Sequence, residues 1–179
     1  EAIGAAQAKA LLEALTSKSQ PAIVMINGSP TDHNATLLKR GAHRVLDGKV
    51  RILKEYDTPD WSPDKAQQQM TQALTSLGEV TLDGVYAAND GTAGGAIAAM
   101  KAAGVAIPPV TGQDAEVAAL QRVIAGDQYM TIYKAIRAQA ETAAQLAVKA
   151  LDGASAVAEL SRGQTMTNGA KEVPAILLE

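Results

Sequence analysis

Cysteine is absent from the 179 residues. That excludes disulfides, thiolate metal sites and cysteine nucleophiles, but it leaves the compartment open, because exported proteins without disulfides exist too. Phenylalanine is also absent and tryptophan occurs once. The core must therefore be built from Ala, Val, Leu, Ile and Met, and the lone Trp61 stands out. No apolar run approaches the roughly 20 residues of a membrane-spanning helix. Basic charge is not in excess: 16 Lys and Arg face 19 Asp and Glu, a net charge of −3 with both signs mixed. That is unlike the basic footprint of a nucleic-acid binder, and no nucleic acid partner is expected.

Several chemistries are missing as well. Gly91-Thr92-Ala93-Gly94-Gly95 lacks the Gly-Lys-Ser/Thr ending of a phosphate loop and the spacing of a dinucleotide fingerprint. Close helix packing is the reading for Gly94 and Gly95, and no cofactor is expected. His33 and His43 lack metal-ligand spacing and read as surface residues, so no metal is expected. Ser29 has no evident base partner. No catalytic set emerges, and the chain reads as a non-enzyme.

What is present is an alternation. Apolar positions at helical spacing (Ile3, Ala6, Ala10, Leu11, Ala14, Leu15) predict a helix over 2–18. Strand-like runs follow at 21–26, 50–56, 84–88, around Val110 and at 129–132, with helical patterns between them. Asp32 is expected to cap the second helix, and Ser62-Pro63 to supply cap and first residue of the third. Further helices are expected at 92–103, 115–125 and 136–151. Strand and helix in strict turn predict an α/β fold, a doubly wound parallel sheet with helices on both faces. Residues 154–168 lack clear periodicity and read as a loop, and 173–178 as a strand or extended segment. The chain opens inside a helical pattern without Met and closes on apolar Ile176-Leu177-Leu178. It therefore reads as a mature, cleaved or truncated product whose ends continue into something else.

Ligands of open α/β sheets bind beyond the carboxyl ends of the strands. Three runs end there in polar residues: Asn89-Asp90, Asp114 and Lys134. Asn89 has both a donor and an acceptor, and an Asp can accept two hydroxyls, which suits a polyol. The competing reading is that Asn-Asp caps the following helix, with Asp90 favoured for the cap and Asn89 open to either role. Trp61, in a loop beyond the second strand, offers a flat face for a sugar ring, or else packs half-buried. Asn34, one turn into its helix, is placed to point into the same cleft. Lys134 can donate to a hydroxyl or pair with Asp114.

Gly28-Ser29-Pro30-Thr31-Asp32-His33-Asn34-Ala35, Asp60-Trp61, Asn89 to Ala96, Gly112-Gln113-Asp114-Ala115 and Met130 to Lys134 occur here in a characteristic order and spacing. So do the opening Gln7-Ala8-Lys9-Ala10-Leu11 and the closing 168–174. In these the chain strongly resembles bacterial periplasmic D-xylose-binding proteins, the solute-binding components of xylose-type ABC importers with the type I fold. The resemblance covers essentially the whole chain, but only the carboxyl-terminal of the family's two lobes. It implies that Trp61 stacks on the sugar, that Asn89 and Asp114 hydrogen-bond its hydroxyls, that Lys134 contacts it, and that Asn34 faces the cleft. It implies as partners a small monosaccharide, the missing amino-terminal lobe and the membrane subunits of an ABC transporter. The expected location is periplasmic or extracellular, as a lipoprotein in a Gram-positive host. Residues 1–151 are expected to form the sugar-binding lobe and 152–179 a loop and extended hinge or return segment.

Two other readings stand beside it. A sugar-sensing effector domain of a lac-repressor-type regulator or membrane sensor shares this fold. An enzyme on a flavodoxin-like sheet is the third, without a nucleophile–base pair or cofactor loop to support it.

Overall fold

The computed structural model describes residues 1–78 and 80–176. Two compact units divide the chain, Glu1–Tyr133 and Lys134–Glu179. The first contains α1 (Ala2–Ala14), β1 (Ala22–Asn27), α2 (His33–Leu46), β2 (Arg51–Asp57), a 3₁₀ turn (Pro59–Trp61), α3 (Pro63–Leu77), β3 (Gly84–Ala87), α4 (Asp90–Ala102) and α5 (Val117–Ala125). The second contains α6 (Ile136–Leu151), α7 (Ala154–Leu160), β4 (Thr165–Asn168) and β5 (Lys171–Pro174).

In the first unit the strands run parallel in the order β2-β1-β3. Single parallel bridges extend the sheet past β3, from Val85 to Val110 and from Gln113 to Ile132. The expected fourth and fifth strands thus shrink to bridges at the sheet's edge. β3 lies in the middle, and the order reverses between β1 and β3, the switch point at which α/β sheets of this kind hold their ligands.

The helices cover both faces because strand residues alternate sides. Ile23, Met25, Tyr86 and Ala88 pack with Ala8 and Leu11 of α1 and with Ala42 and Leu46 of α2. Val24, Ile26, Val85 and Ala87 pack with Ala66, Met70 and Ala73 of α3 and with Ala93, Ala96 and Met100 of α4. Every residue of β1 is buried, which explains why its sequence is a continuous apolar run and not an alternating one. A core of small residues brings helices unusually close. A Cβ on Gly95 would collide with the Pro63 carbonyl, and one on Gly41 with that of Glu1. The expected packing role holds for Gly95, while a Cβ on Gly94 would meet the Arg122 guanidinium 3.1 Å away.

Both expected caps form: Asp32 accepts from the Asn34 amide (2.8 Å) and Ser62 from that of Lys65 (3.4 Å), with Pro63 in the first turn. Three local expectations fail. The first helix stops at Ala14, not residue 18. α5 starts at Val117, not Ala115, because Asp114 (φ 107°) and Ala115 (φ 52°) lie in the left-handed region, which no α-helix admits. The tail expected to be a loop over 154–168 forms α7 and β4 instead. Ala-rich residues 154–160 carry high helix propensity, and Gly169 (φ 64°) opens a two-residue turn that pairs β4 with β5. The expected extended segment over 173–178 begins within β5, and Leu177 and Leu178 lie outside the described residues. Among those residues no helix is long and apolar enough to cross a membrane.

Candidate functional site

Parallel strands place all their carboxyl ends along one edge. β3 delivers Asn89 there. Its Oδ1 accepts from the Thr92 amide (2.9 Å) and the Thr92 hydroxyl receives the Asn89 amide (3.2 Å), a reciprocal capping box at the start of α4. The cap therefore belongs to Asn89, not to Asp90 as the sequence favoured. Asp90 is instead the first residue of the helix and fully buried.

Its carboxylate is a junction. Oδ1 accepts from Gln128 Nε2 (2.9 Å); Oδ2 accepts from the Thr131 hydroxyl (2.9 Å) and the Glu116 amide (3.0 Å). Its backbone N–H donates to the Gln113 carbonyl (2.9 Å) and its carbonyl accepts from Arg122 Nη2 (2.8 Å). Arg122 Nε in turn donates to Gln128 Oε1 (2.9 Å). One side chain thus ties the end of β3 to the segments ending at Gln113 and Ile132 and to the start of α5. Gly112 has no Cβ because one would collide with Asp90 Oδ1 and Gln128 Nε2.

Asp114 comes one residue beyond Gln113, and its amide donates to the Ile132 carbonyl (2.8 Å). Nearby Glu116 has its carboxyl pushed above the usual range, first by partial burial and then by the charges of Asp90 and Asp114. A second buried tie comes from α1: Gln7 Nε2 contacts the carbonyls of Ala87, Ala88 and Gly112, and its Oε1 accepts from the Tyr86 hydroxyl (3.1 Å). Burial drives the Tyr86 phenol well above its ordinary pKa.

Trp61 is half-buried beside β1. Its indole N–H donates to Asp32 Oδ2 (3.1 Å). A Cβ on Gly28 would lie almost equally close to Cη2, Cζ2 and Cζ3 of the indole. That geometry puts Gly28 over the face of the ring, not beyond its edge. Asp60 and Trp61 both have positive φ (60° and 56°), conformations held by bonds from the Asp60 amide to Ser29 Oγ (3.3 Å) and from the Trp61 amide to the Thr58 carbonyl (3.1 Å).

Among the expected site residues, Trp61, Asn89 and Asp114 thus stand at the carboxyl ends of strands of one sheet. Asn34 is the second residue of α2 and exposed. Lys134 opens the second compact unit, and its carbonyl accepts from the Ile136 amide (2.8 Å). His33 is exposed as expected, but His43 is pinned between Asp47 (2.8 Å) and Glu55 (3.1 Å). Sequence reasoning missed Gln7, Arg122, Gln128 and Thr131, whose partners lie far along the chain. The only local sign was Gln128 standing directly before an expected strand.

Residues 1–155 match the family described as Periplasmic binding protein domain. The chain is 39% identical to the D-xylose-binding periplasmic protein of Escherichia coli (strain K12), covering 99% of this chain and 53% of that protein. It is 37% identical to the D-xylose-binding periplasmic protein of Haemophilus influenzae, covering 100% and 53%. An ABC transporter solute binding protein from Clostridium phytofermentans, solved with β-D-glucose bound, aligns with a TM-score of 0.80 at 27% identity over 98% of this chain and 59% of that one. The chain spans about half the length of the curated relatives it matches. A five-membered parallel sheet with its polar strand ends gathered at the switch point, together with a match over residues 1–155, leads to one conclusion: the chain belongs to the periplasmic binding protein domain family.

Proposed function

We propose that this chain supplies one half of a monosaccharide site, with D-xylose the first candidate, in the solute-binding component of an ABC sugar importer. The carrying observation is that Trp61, Asn89 and Asp114 reach the same edge of one parallel sheet from separate strand ends. The names of the two relatives that cover the whole chain point to the same sugar. In this reading Trp61 stacks on the ring. Asn89 uses Oδ1 for its cap and offers Nδ2 to a hydroxyl. Asp114 accepts hydroxyls, Lys134 donates to one, and Asn34 contributes from the first turn of α2. Residues 1–151 act as the binding lobe and 152–179 as hinge and return segment. A second lobe completes the site, the membrane subunits of the transporter receive the loaded protein in the periplasm or outside the cell, and no reaction is catalysed.

Calorimetric titration of xylose, ribose, arabinose and glucose into the full-length protein tests this. Loss of one buried hydrogen-bonding partner costs about 1–3 kcal/mol, or roughly one to two decades of affinity. Asp114→Ala should sit at the top of that range, because bonds to a charged acceptor are stronger. Trp61→Ala should weaken all pyranoses alike, since stacking reads ring shape and not hydroxyl pattern. Unchanged affinity in both variants would refute the site, and no response to any of the four sugars would refute the function.

A further inference from the structure

We infer that Asp32 is a positioning residue for Trp61, so that a single carboxylate both starts α2 and aims the indole. The inference rests on the sugar-site reading above and deepens it. Asp32 divides its two oxygens. Oδ1 accepts from the Asn34 amide at 2.8 Å, and Oδ2 accepts from the indole N–H at 3.1 Å. The cap accounts for only the first. A helix start needs an acceptor, and Ser, Thr or Asn serves as well as Asp. The second oxygen has a separate task, which only an acidic side chain at this position can carry out alongside the cap.

Three features around the indole have one effect in common. Gly28 lies over one face of the ring, where any side chain would collide with it. Asp32 holds the nitrogen edge. The backbone of Asp60 and Trp61 is kept in left-handed conformations (φ 60° and 56°) that non-glycine residues rarely adopt, and Ser29 Oγ accepts from the Asp60 amide at 3.3 Å. Local strain of this kind persists only where surrounding contacts over-determine it. A half-buried packing residue needs shape alone, whereas this indole is fixed at an edge, at a face and at its own backbone. Fixing it in advance spares a ligand the cost of ordering a large side chain on binding.

The test separates the two oxygens. Asp32→Ser keeps a good helix cap but is too short to reach the indole. In the full-length protein, the Trp61 indole ¹H–¹⁵N resonance is identified by its loss in Trp61→Phe. Asp32→Ser is expected to leave the urea midpoint nearly unchanged, to shift that resonance and speed exchange of its proton, and to weaken xylose binding roughly tenfold. Gly28→Ala, which disturbs the ring from its face, is expected to shift the same resonance without touching Asp32. An indole signal and exchange rate unchanged in Asp32→Ser overturns the inference. So does a shifted indole with unchanged xylose affinity, because the positioning would then serve no binding. Should Asp32→Ser fail to fold, Asp32→Asn takes its place. One amide oxygen cannot serve two donors, so the indole shift is again expected, and its absence is again decisive. Wild-type protein that binds none of the four sugars refutes the sugar site itself. In that event the indole signal still decides whether Asp32 holds Trp61.

Discussion

Two carboxylates next to β1 and β3 meet opposite fates. Asp90, after β3, is fully buried and held by an amide side chain, a hydroxyl and a backbone N–H. Glu55, on the edge strand β2, keeps a side chain 26% exposed and gathers His43 (3.1 Å), Lys39 (3.0 Å) and the Asn27 amide (3.0 Å). Partial burial would raise the Glu55 pKa, but its bonds to His43 and Lys39 outweigh this and lower it. Burial would lower the His43 pKa, and the bonds to Glu55 and Asp47 outweigh it and raise it. The ion-pair cluster is richer in charge, yet solvent screens it and it joins only neighbouring elements. The uncharged donors around Asp90 are shut off from water, so each depends on that one acceptor. Where a residue sits, more than how many charges surround it, decides what its loss costs.

The comparison can be broken most directly at Asp90. Asp90→Ala leaves Gln128 Nε2, the Thr131 hydroxyl and the Glu116 amide without their acceptor, and is expected to cost roughly 3–5 kcal/mol in urea denaturation. A loss below about 1 kcal/mol would make the junction no more important than a surface pair. Gly112→Ala sharpens the same point. Its Cβ would press on Asp90 Oδ1 and Gln128 Nε2, for an expected cost of about 1–3 kcal/mol. That cost should shrink in an Asp90→Ala background, and strict additivity would show that the two do not meet.

On the other side, Glu55→Gln is expected to lose less than about 1 kcal/mol, and less still in 1 M salt. A loss as large as that of Asp90→Ala would erase the contrast. The smallest effect concerns pH. His43 has its pKa raised above the ordinary 6.5, so its contribution is full below that value and is lost as pH rises through the raised folded value. Glu55 has its pKa lowered below 4.5, so its contribution is present above 4.5 and disappears as pH falls through the lowered folded value. The cluster is therefore strongest between about pH 4.5 and 6.5. Thermal melts of His43→Gln should lack the small decline in stability that the parent shows above that window; identical pH profiles would remove His43 from the account.

Much of the fold was legible because it follows local rules. The Asp32 and Ser62 caps, the first three strands and α6 obey signals contained within a few residues of sequence. The tail was misread for the opposite reason. α7 is two turns long and too short to show a period, and the glycine of its hairpin turn was passed over as loop composition. Trp61, Asn89 and Asp114 were legible as candidates because each follows a strand-like run. The contest at Asn89-Asp90 was not. Either side chain can cap a helix, and only the packing of α5 and the segment around Thr131 against α4 shows that Asp90 is needed elsewhere.

The sequence by itself determined the alternation of strand and helix, the face each strand residue turns to, and the polar character of the strand ends, since all of these rest on periodicity and local capping. The order of the strands, the junction at Asp90 and the hold of Asp32 on Trp61 were decided only in three dimensions. The partners of Asp90 lie 26 to 41 residues away and Asp32 lies 29 residues from Trp61. No local pattern encodes which distant donor will be left needing an acceptor once water has been expelled; packing makes that choice, and burial makes it binding.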